Sequence, residues 1–311
     1  MTFFTRSKKE QGWLVIDATS EGPRYVHAHV QPGKRVAVDE WTTGEPDYRG
    51  AGGLEKVARS RHFDRYQCAT LLKPGEYQLL QVEAPAVPPA ELKSAIRWRL
   101  KDLLDYHVDD ATIDVLDVPP EGVANARGHA MFAVAARNEL IASRIKMFEE
   151  ARIPLSVIDI PETAQRNIAA LYEEDKRGLA LLYLDSNSSL LTVNYRSELY
   201  LARRLEVGFQ QVAQQAGDAR EEVFARIQLE LQRTLDHFDR QYSFVPIAKL
   251  LVAPMPEETG LAAYLAANLG IAVESVDLGE KLHVERGWDA HTQWQLFHLA
   301  GASLRVESRA L

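Results

Sequence analysis

Two short apolar runs set the grammar of the chain. Trp13-Leu14-Val15-Ile16 ends in Asp17 and, after the turn-forming Glu21-Gly22-Pro23, leads into Tyr25-Val26-His27-Ala28-His29-Val30, which predicts a β-hairpin. Leu179-Ala180-Leu181-Leu182-Tyr183-Leu184 also ends in an acid, Asp185. It is followed by the small polar residues Ser186-Asn187-Ser188-Ser189 and returns through Leu190-Leu191-Thr192-Val193-Asn194-Tyr195. The two units stand 168 positions apart, too far for a solenoid repeat and suited to a duplicated, two-lobed α/β fold.

A different unit lies between them. Tyr77 to Val82 reads as a strand, and Pro88-Pro89 opens a helix with Leu92, Ile96, Leu100 and Leu103 on one face. Strands over Thr112 to Val118 and Met131 to Ala135 follow, then a helix from about Asn138 with Ile141, Ile145 and Phe148 on its buried stripe. The order β-α-β-β-α describes a small α+β module, with the proline-rich Ala84 to Pro89 as leading hinge and Arg152-Ile153-Pro154 as exit. The expected division is therefore a first lobe from 1–82, 155–177 and 291–311, an inserted module at 83–154, and a second lobe at 178–290. In the second lobe, Phe224, Ile227, Leu231, Leu235, Phe238 and Tyr242 recur every three or four positions, predicting one long core-facing helix over about Ala219 to Tyr242. A βαβ unit follows: a strand over Lys249 to Ala253, a helix over Leu261 to Leu269 stopped by Gly270, and a strand over Ile271 to Val276. The last helix, about His291 to Val306, carries Ala300-Gly301-Ala302, small residues suited to close packing.

Composition narrows the class without naming it. Of 311 residues, 46% are hydrophobic and 26% charged, an ordinary soluble balance that excludes disordered and collagenous chains. A net charge of −8 with no basic stripe argues against nucleic acid as a partner. One cysteine, Cys68, leaves no disulfide and no Cys/His zinc cluster, which fits a reducing cytoplasm. The apolar runs fall far short of the roughly 20 residues of a membrane helix, and the N-terminus has no secretory h-region. Phe3 and Phe4 beside Arg6, Lys8 and Lys9 could touch an anionic lipid surface weakly; a frayed terminus is the plainer reading.

An acid at a strand end followed by a tight small-residue turn can hold phosphate on backbone N–H groups while the carboxylate orients Mg²⁺ through water. Two such hairpins facing each other would clamp a nucleotide, although a strand-Asp-turn-strand also describes an ordinary hairpin. His27 and His29, at i and i+2 on one strand face, could share a metal; no third ligand is evident, and a solvent-facing strand edge explains them as well. Ser186, Ser188 and Ser189 lack a nucleophile motif, and neither Gly-x-Ser-x-Gly nor a P-loop occurs. No catalytic residue is assigned.

At these residues the chain resembles the actin-like ATPase superfamily and, within it, the PilM/MshI family of type IV pilus platform proteins, over nearly its whole length. Trp13 to Asp17 and Leu182 to Thr192 resemble the two phosphate hairpins. Ala95 to Val108 resembles the helix of the inserted subdomain, and Ala133-Val134-Ala135-Ala136-Arg137-Asn138-Glu139-Leu140 a strand-Ala-Ala-Arg-x-Glu-Leu stretch. Val157 to Glu162 resembles the return to the first lobe, and Ile247 to Ala253 with Leu261 to Val273 the adenosine-side unit. The resemblance implies an actin-like (ribonuclease H-like) two-lobed fold. It also implies an ATP/Mg site at Asp17, Thr19, Ser20, Asp185, Asn187, Ser188 and Ser189, with Glu162 where the superfamily often aims water or metal; solvated strand-end acids are the plainer reading of Glu162.

Departures from the family pattern weaken that site. Thr19 and Asn187 stand where ATP-binding relatives place glycine, and Pro254-Met255-Pro256-Glu257-Glu258 where they place a Gly-Gly turn. A β-branched Cβ blocks close approach to phosphate, proline offers no N–H, and two glutamates add like charge. The resemblance further implies a cytoplasmic scaffold peripheral to the inner membrane. It would grip the N-terminal cytoplasmic peptide of a PilN-like inner-membrane protein, among other pilus platform components, in a groove between first lobe and module, with Ala84, Pro85, Ile96, Arg97 and Leu100 as walls. Trp98 and Tyr106 read as packing residues or, if exposed, as anchors for that peptide. Two alternatives share the fold: a working Mg-ATP-binding ATPase, and the cytoplasmic platform protein of a type II secretion system, disfavoured because that family carries its own membrane span.

Overall fold

A computed structural model describes residues 9–31, 35–44, 52–120 and 130–306. Phe3, Phe4, Arg6 and Lys8 of the candidate lipid-touching group lie outside them. The first hairpin forms from β1 (Trp13–Thr19) and β2 (Gly22–Val30), and β3 (Val36–Thr42) extends the antiparallel meander. The turn falls at Ser20-Glu21, so Gly22 and Pro23 already belong to β2, opposite Thr19 and Ala18. After α1 (Gly53–Ser60), β4 (Gln67–Leu71) runs parallel to β1.

The module comprises β5 (Tyr77–Glu83), α2 (Pro89–Leu100), β6 (Ala111–Asp117) and β7 (Ala130–Arg137), with strands ordered β5-β7-β6. The helix α3 (Asn138–Glu150) leads back to β8 (Leu155–Asp159), parallel to β4, and to α4 (Pro161–Ala169). In the second lobe β9 (Gly178–Leu184), β10 (Ser189–Tyr195) and β11 (Glu198–Leu205) form an antiparallel meander. The short α5 (Phe209–Ala213) and long α6 (Asp218–Gln241) come next. Then β12 (Ile247–Val252) runs parallel to β9, α7 (Leu261–Asn268) crosses over, and β13 (Ala272–Ser275) runs parallel to β12. Strand β14 (Leu282–Val284) and helix α8 (Ala290–Ser303) end the described chain.

The duplication expected from the hairpins is a duplication of topology. The first-lobe sheet reads β14-β3-β2-β1-β4-β8 and the second β11-β10-β9-β12-β13; each holds a three-strand meander followed by two parallel strands, and the first adds β14 at its edge. Both first strands are apolar without alternation because both faces of each sheet are covered. Trp13 and Val15 face the inter-lobe core while Leu14 and Ile16 pack with Val57, Phe63 and Phe148. In β9, Leu179, Leu181 and Tyr183 face the inter-lobe core, and Ala180, Leu182 and Leu184 pack under α6 through Phe224, Ile227, Leu231 and Phe238. The helices α4 and α8 join the lobes. Gly301 allows this: a Cβ there would stand 2.2 Å from the Ala164 carbonyl oxygen.

Three boundaries differ from the sequence reading. Strand β5 pairs along its length with β7, so the module begins before residue 83 and Ala84 packs into the module's own core instead of a hinge. The prolines mark only the loop before α2. Strand β14 pairs with β3, so the chain re-enters the first lobe before 291. Helix α3 is shared: Leu140 and Ile141 pack under the module sheet, while Phe148 is buried in the first lobe.

Candidate functional site

The two hairpin loops follow strands β1 and β9, which hold equivalent places in the two sheets. Tyr183 lies in the inter-lobe core two residues before Asp185: burial pushes its phenol pKa up, the Asp185 carboxylate adds to the shift, and Arg24, the residue paired with Asp17, opposes it. The loops are nevertheless built differently. In the first, β1 continues past Asp17 to Thr19, whose hydroxyl donates to the Gly22 carbonyl at 2.5 Å and accepts from the Glu21 N–H at 3.3 Å. The turn thus satisfies itself. Ser20 is exposed, and the half-buried Asp17 carboxylate lies 3.6 Å from the exposed Lys73 ammonium.

The second loop is closed by other elements. The Asp185 N–H donates to the Ser188 carbonyl at 2.8 Å, and the Asp185 carboxylate accepts from the Ser186 N–H at 2.8 Å. The first N–H groups of α5, which might have met an anion, are also used: Phe209 donates to the Asp185 carbonyl at 2.7 Å, Gln210 to the Ser186 carbonyl at 3.0 Å, and Gly208 to the Gln211 side chain at 2.7 Å. Gly208 is required by close approach, since a Cβ there would fall 2.4 Å from Asn187 backbone. Ser189 is buried and donates to the Val207 carbonyl; Asn187 is exposed and Ser188 half-buried. From the first lobe, the Trp294 indole N–H donates to the Leu184 carbonyl at 2.7 Å, and its ring packs 5.9 Å from Phe209.

Glu162 is not a solvated strand-end acid. It opens α4, is 2% exposed, and accepts from Arg204 of β11 at 2.7 Å and from the Tyr77 hydroxyl of β5. Arg204 also donates to Tyr77 at 2.6 Å, so one ionic group ties first lobe, second lobe and module together. Burial, reinforced by Glu162, pushes the Tyr77 phenol pKa far up, so the phenol stays protonated and donates. Nearby, His298 of α8 is half-buried, its ring 4.3 Å from that of Tyr183 and its Nε2 3.4 Å from Gln165; desolvation, with Arg204 adding to it, lowers its pKa to about 3. Sequence reasoning missed Arg204, Trp294 and His298, because nothing local marks a side chain that acts across the lobe interface. Cys68 is buried in the first lobe, where desolvation pushes its thiol to about 12 and leaves it no nucleophilic role.

At the stretch expected to face adenosine, a glycine does precede the helix. Gly260 stands at positive φ before α7, and its N–H is taken by the Glu258 side chain at 2.9 Å. Glu257 and Glu258 are exposed. The expected groove walls of the module need correction. Ile96 and Leu100 are fully buried in the module's own core, because the apolar stripe of α2 faces its own sheet. Arg97 is spent on the Val108 and Ala111 carbonyls at 2.6 and 3.1 Å, and Ala84 is buried; Pro85 remains half-exposed. The large apolar side chains that α2 and its following turn present to solvent are Trp98, 75% exposed, and Leu103, 53% exposed. Strand β5 pairs only with β7, so its other edge carries no strand among the described residues.

No protein family model and no curated protein matches the chain. Among solved structures, a PilM-PilN type IV pilus biogenesis complex matches 94% of this chain and 98% of its own, with TM-score 0.68 at 19% identity. The fold is the two-lobed actin-like one. The cytoplasmic domain of EpsL, an inner membrane component of the Vibrio cholerae type II secretion system, matches 93% of this chain and 95% of its own at 11% identity and TM-score 0.48. A Bacteroides thetaiotaomicron protein of actin-like ATPase fold and unknown function matches 95% and 98% at 10% identity and TM-score 0.49. In this actin-like chain no described helix is long and apolar enough to cross a membrane.

Proposed function

We propose that this protein is a PilM/MshI-like scaffold of a type IV pilus assembly platform, of the MSHA-like kind, with a degraded nucleotide site. It would be held at the cytoplasmic face of the inner membrane by protein partners, first among them the N-terminal tail of a PilN-like protein. The observation that carries the reading is the near end-to-end match to the PilM-PilN complex structure. The nucleotide half rests on the second loop: the residues present do not fit a tightly held Mg·ATP, because the Asp185 and Ser186 N–H groups and the start of α5 are already bonded and Trp294 covers the adjoining strand end.

For the tail, the unpaired edge of β5 offers backbone groups for strand addition. Pro85, Trp98 and Leu103 replace the buried Ile96 and Leu100 as the apolar contacts. Titrating a PilN-type tail peptide into the full chain tests this, read by tryptophan emission. Trp98 is the most exposed of the five tryptophans, so the expected result is a saturable blue shift that Trp98→Phe removes, with binding unaffected by Mg·ATP. A flat titration, or binding only of a type II secretion tail peptide, sinks the pilus reading.

A further inference from the structure

We propose that the first lobe carries a divalent transition-metal site of the Zn²⁺ type, formed by His27, His29 and Asp39, with one coordination position open to water or an external ligand. The strand positions bring the ligands together. His27 and His29 share one face of β2, and Asp39 is the extra residue of a bulge in β3, between Val38 opposite Ala28 and Glu40 opposite His27. Bulges of this kind re-aim a side chain. The third ligand that the sequence did not reveal is therefore supplied by the neighbouring strand, and His27, at 2% exposure, is not on a solvent-facing edge.

The geometry fits a metal shell. His27 Nδ1 lies 2.7 Å from one Asp39 carboxylate oxygen and His29 Nδ1 lies 3.6 Å from the other, with the ligand atoms all within 4.8 Å of one another. For Zn–N and Zn–O bonds of about 2.1 Å, neighbouring donors of a tetrahedron stand roughly 3.4 Å apart, between these two separations.

Proton positions make the same case. His27 Nε2 lies 2.9 Å from the Gln11 carbonyl oxygen, which can only accept, so Nε2 carries a proton; were the ring neutral, Nδ1 would turn a lone pair toward the Asp39 carboxylate. Either a second ring proton or a metal ion relieves that contact. A proton on His27 would do so for one ring, but it would leave His29 Nδ1, a buried nitrogen without a hydrogen-bond partner, unsatisfied. One metal ion satisfies both imidazoles and the carboxylate.

The surroundings are those of a ligating histidine. Its second nitrogen donates to a backbone carbonyl, which fixes tautomer and ring orientation. The ring is held between Tyr66 at 4.6 Å and the stacked His29 at 5.9 Å. Two imidazoles and one carboxylate suit Zn²⁺, Co²⁺ or Ni²⁺ better than Ca²⁺ or Mg²⁺, which prefer all-oxygen shells. Asp39 is half exposed, so the open position faces solvent. The site lies toward the end of β2 away from the Ser20-Glu21 turn and is separate from both nucleotide loops.

The test uses tag-free full-length protein stripped with a chelator, titrated with Zn²⁺ by calorimetry and with Co²⁺ in the visible range. The expected result is one equivalent bound per chain, ligand-field bands of a four-coordinate Co²⁺–imidazole complex, and at least ~10-fold weaker binding in His29→Gln and in Asp39→Asn. Absence of saturable binding, a hexa-aquo-like Co²⁺ spectrum, or affinity unchanged in both variants overturns the proposal. The wild-type Co²⁺ spectrum decides the matter even if a variant fails to fold.

Discussion

The first and second hairpin loops occupy equivalent places in two sheets of the same topology, yet they are stabilised in opposite ways. The loop after Asp17 closes on itself through Thr19 and leaves its acid half-exposed beside Lys73. The loop after Asp185 is fixed from outside, by α5, by Trp294 of the other lobe and, one strand further, by the Arg204-Glu162-Tyr77 group. The difference teaches that duplicating a fold does not duplicate its chemistry. A nucleotide clamp needs both loops open to the ligand, and here one has become part of the lobe interface.

That contrast can be broken by mutation, most strongly on the second side. Arg204→Met leaves the Glu162 carboxylate buried without its cation and is expected to cost about 3 kcal/mol in urea unfolding. This is the low end for breaking a buried pair, because the guanidinium is one-third exposed. Adding Glu162→Gln should recover most of the loss; an Arg204→Met protein as stable as wild type contradicts the interlobe role. Gly208→Ala forces a methyl into Asn187 backbone and should cost about 2 kcal/mol by the same assay.

His298 gives the second side a pH signature. Its folded pKa of about 3 lies below the unfolded value of 6.5, so the unfolded state binds the extra proton and stability falls as pH drops through that window. The expected slope is up to about 1.4 kcal/mol per pH unit from this residue. It should flatten in His298→Gln, and an unchanged slope would show the imidazole is not held neutral. On the first side, Lys73→Ala removes a long, partly solvated pair and should move stability by less than about 0.5 kcal/mol.

Much of this architecture is legible along the chain. Apolar runs terminated by Asp17 and Asp185 mark both hairpins, the spacing from Phe224 to Tyr242 marks α6, and Gly270 marks the end of α7. The small residues of α8 signal close packing, and Gly301 meets Ala164 accordingly. Local pattern fails where the decisive partner is distant or the turn chemistry is unusual. Strand β11 follows a turn at Arg196-Ser197, both at positive φ without a glycine, so no turn signal announces it. The prolines after β5 suggest a domain hinge but mark only a loop, because the pairing that places β5 in the module is made some fifty residues later, with β7. The candidate nucleotide residues could be named from their strands, whereas Arg204, Trp294 and Asp39 act on groups the sequence places far from them.

In the proposed scaffold the second loop does not accept a nucleotide. Calorimetric titration of the full chain with Mg·ATP up to millimolar ligand tests it most directly. The account predicts no saturable heat; micromolar binding that Asp185→Asn abolishes would contradict it and restore the reading of a working ATPase.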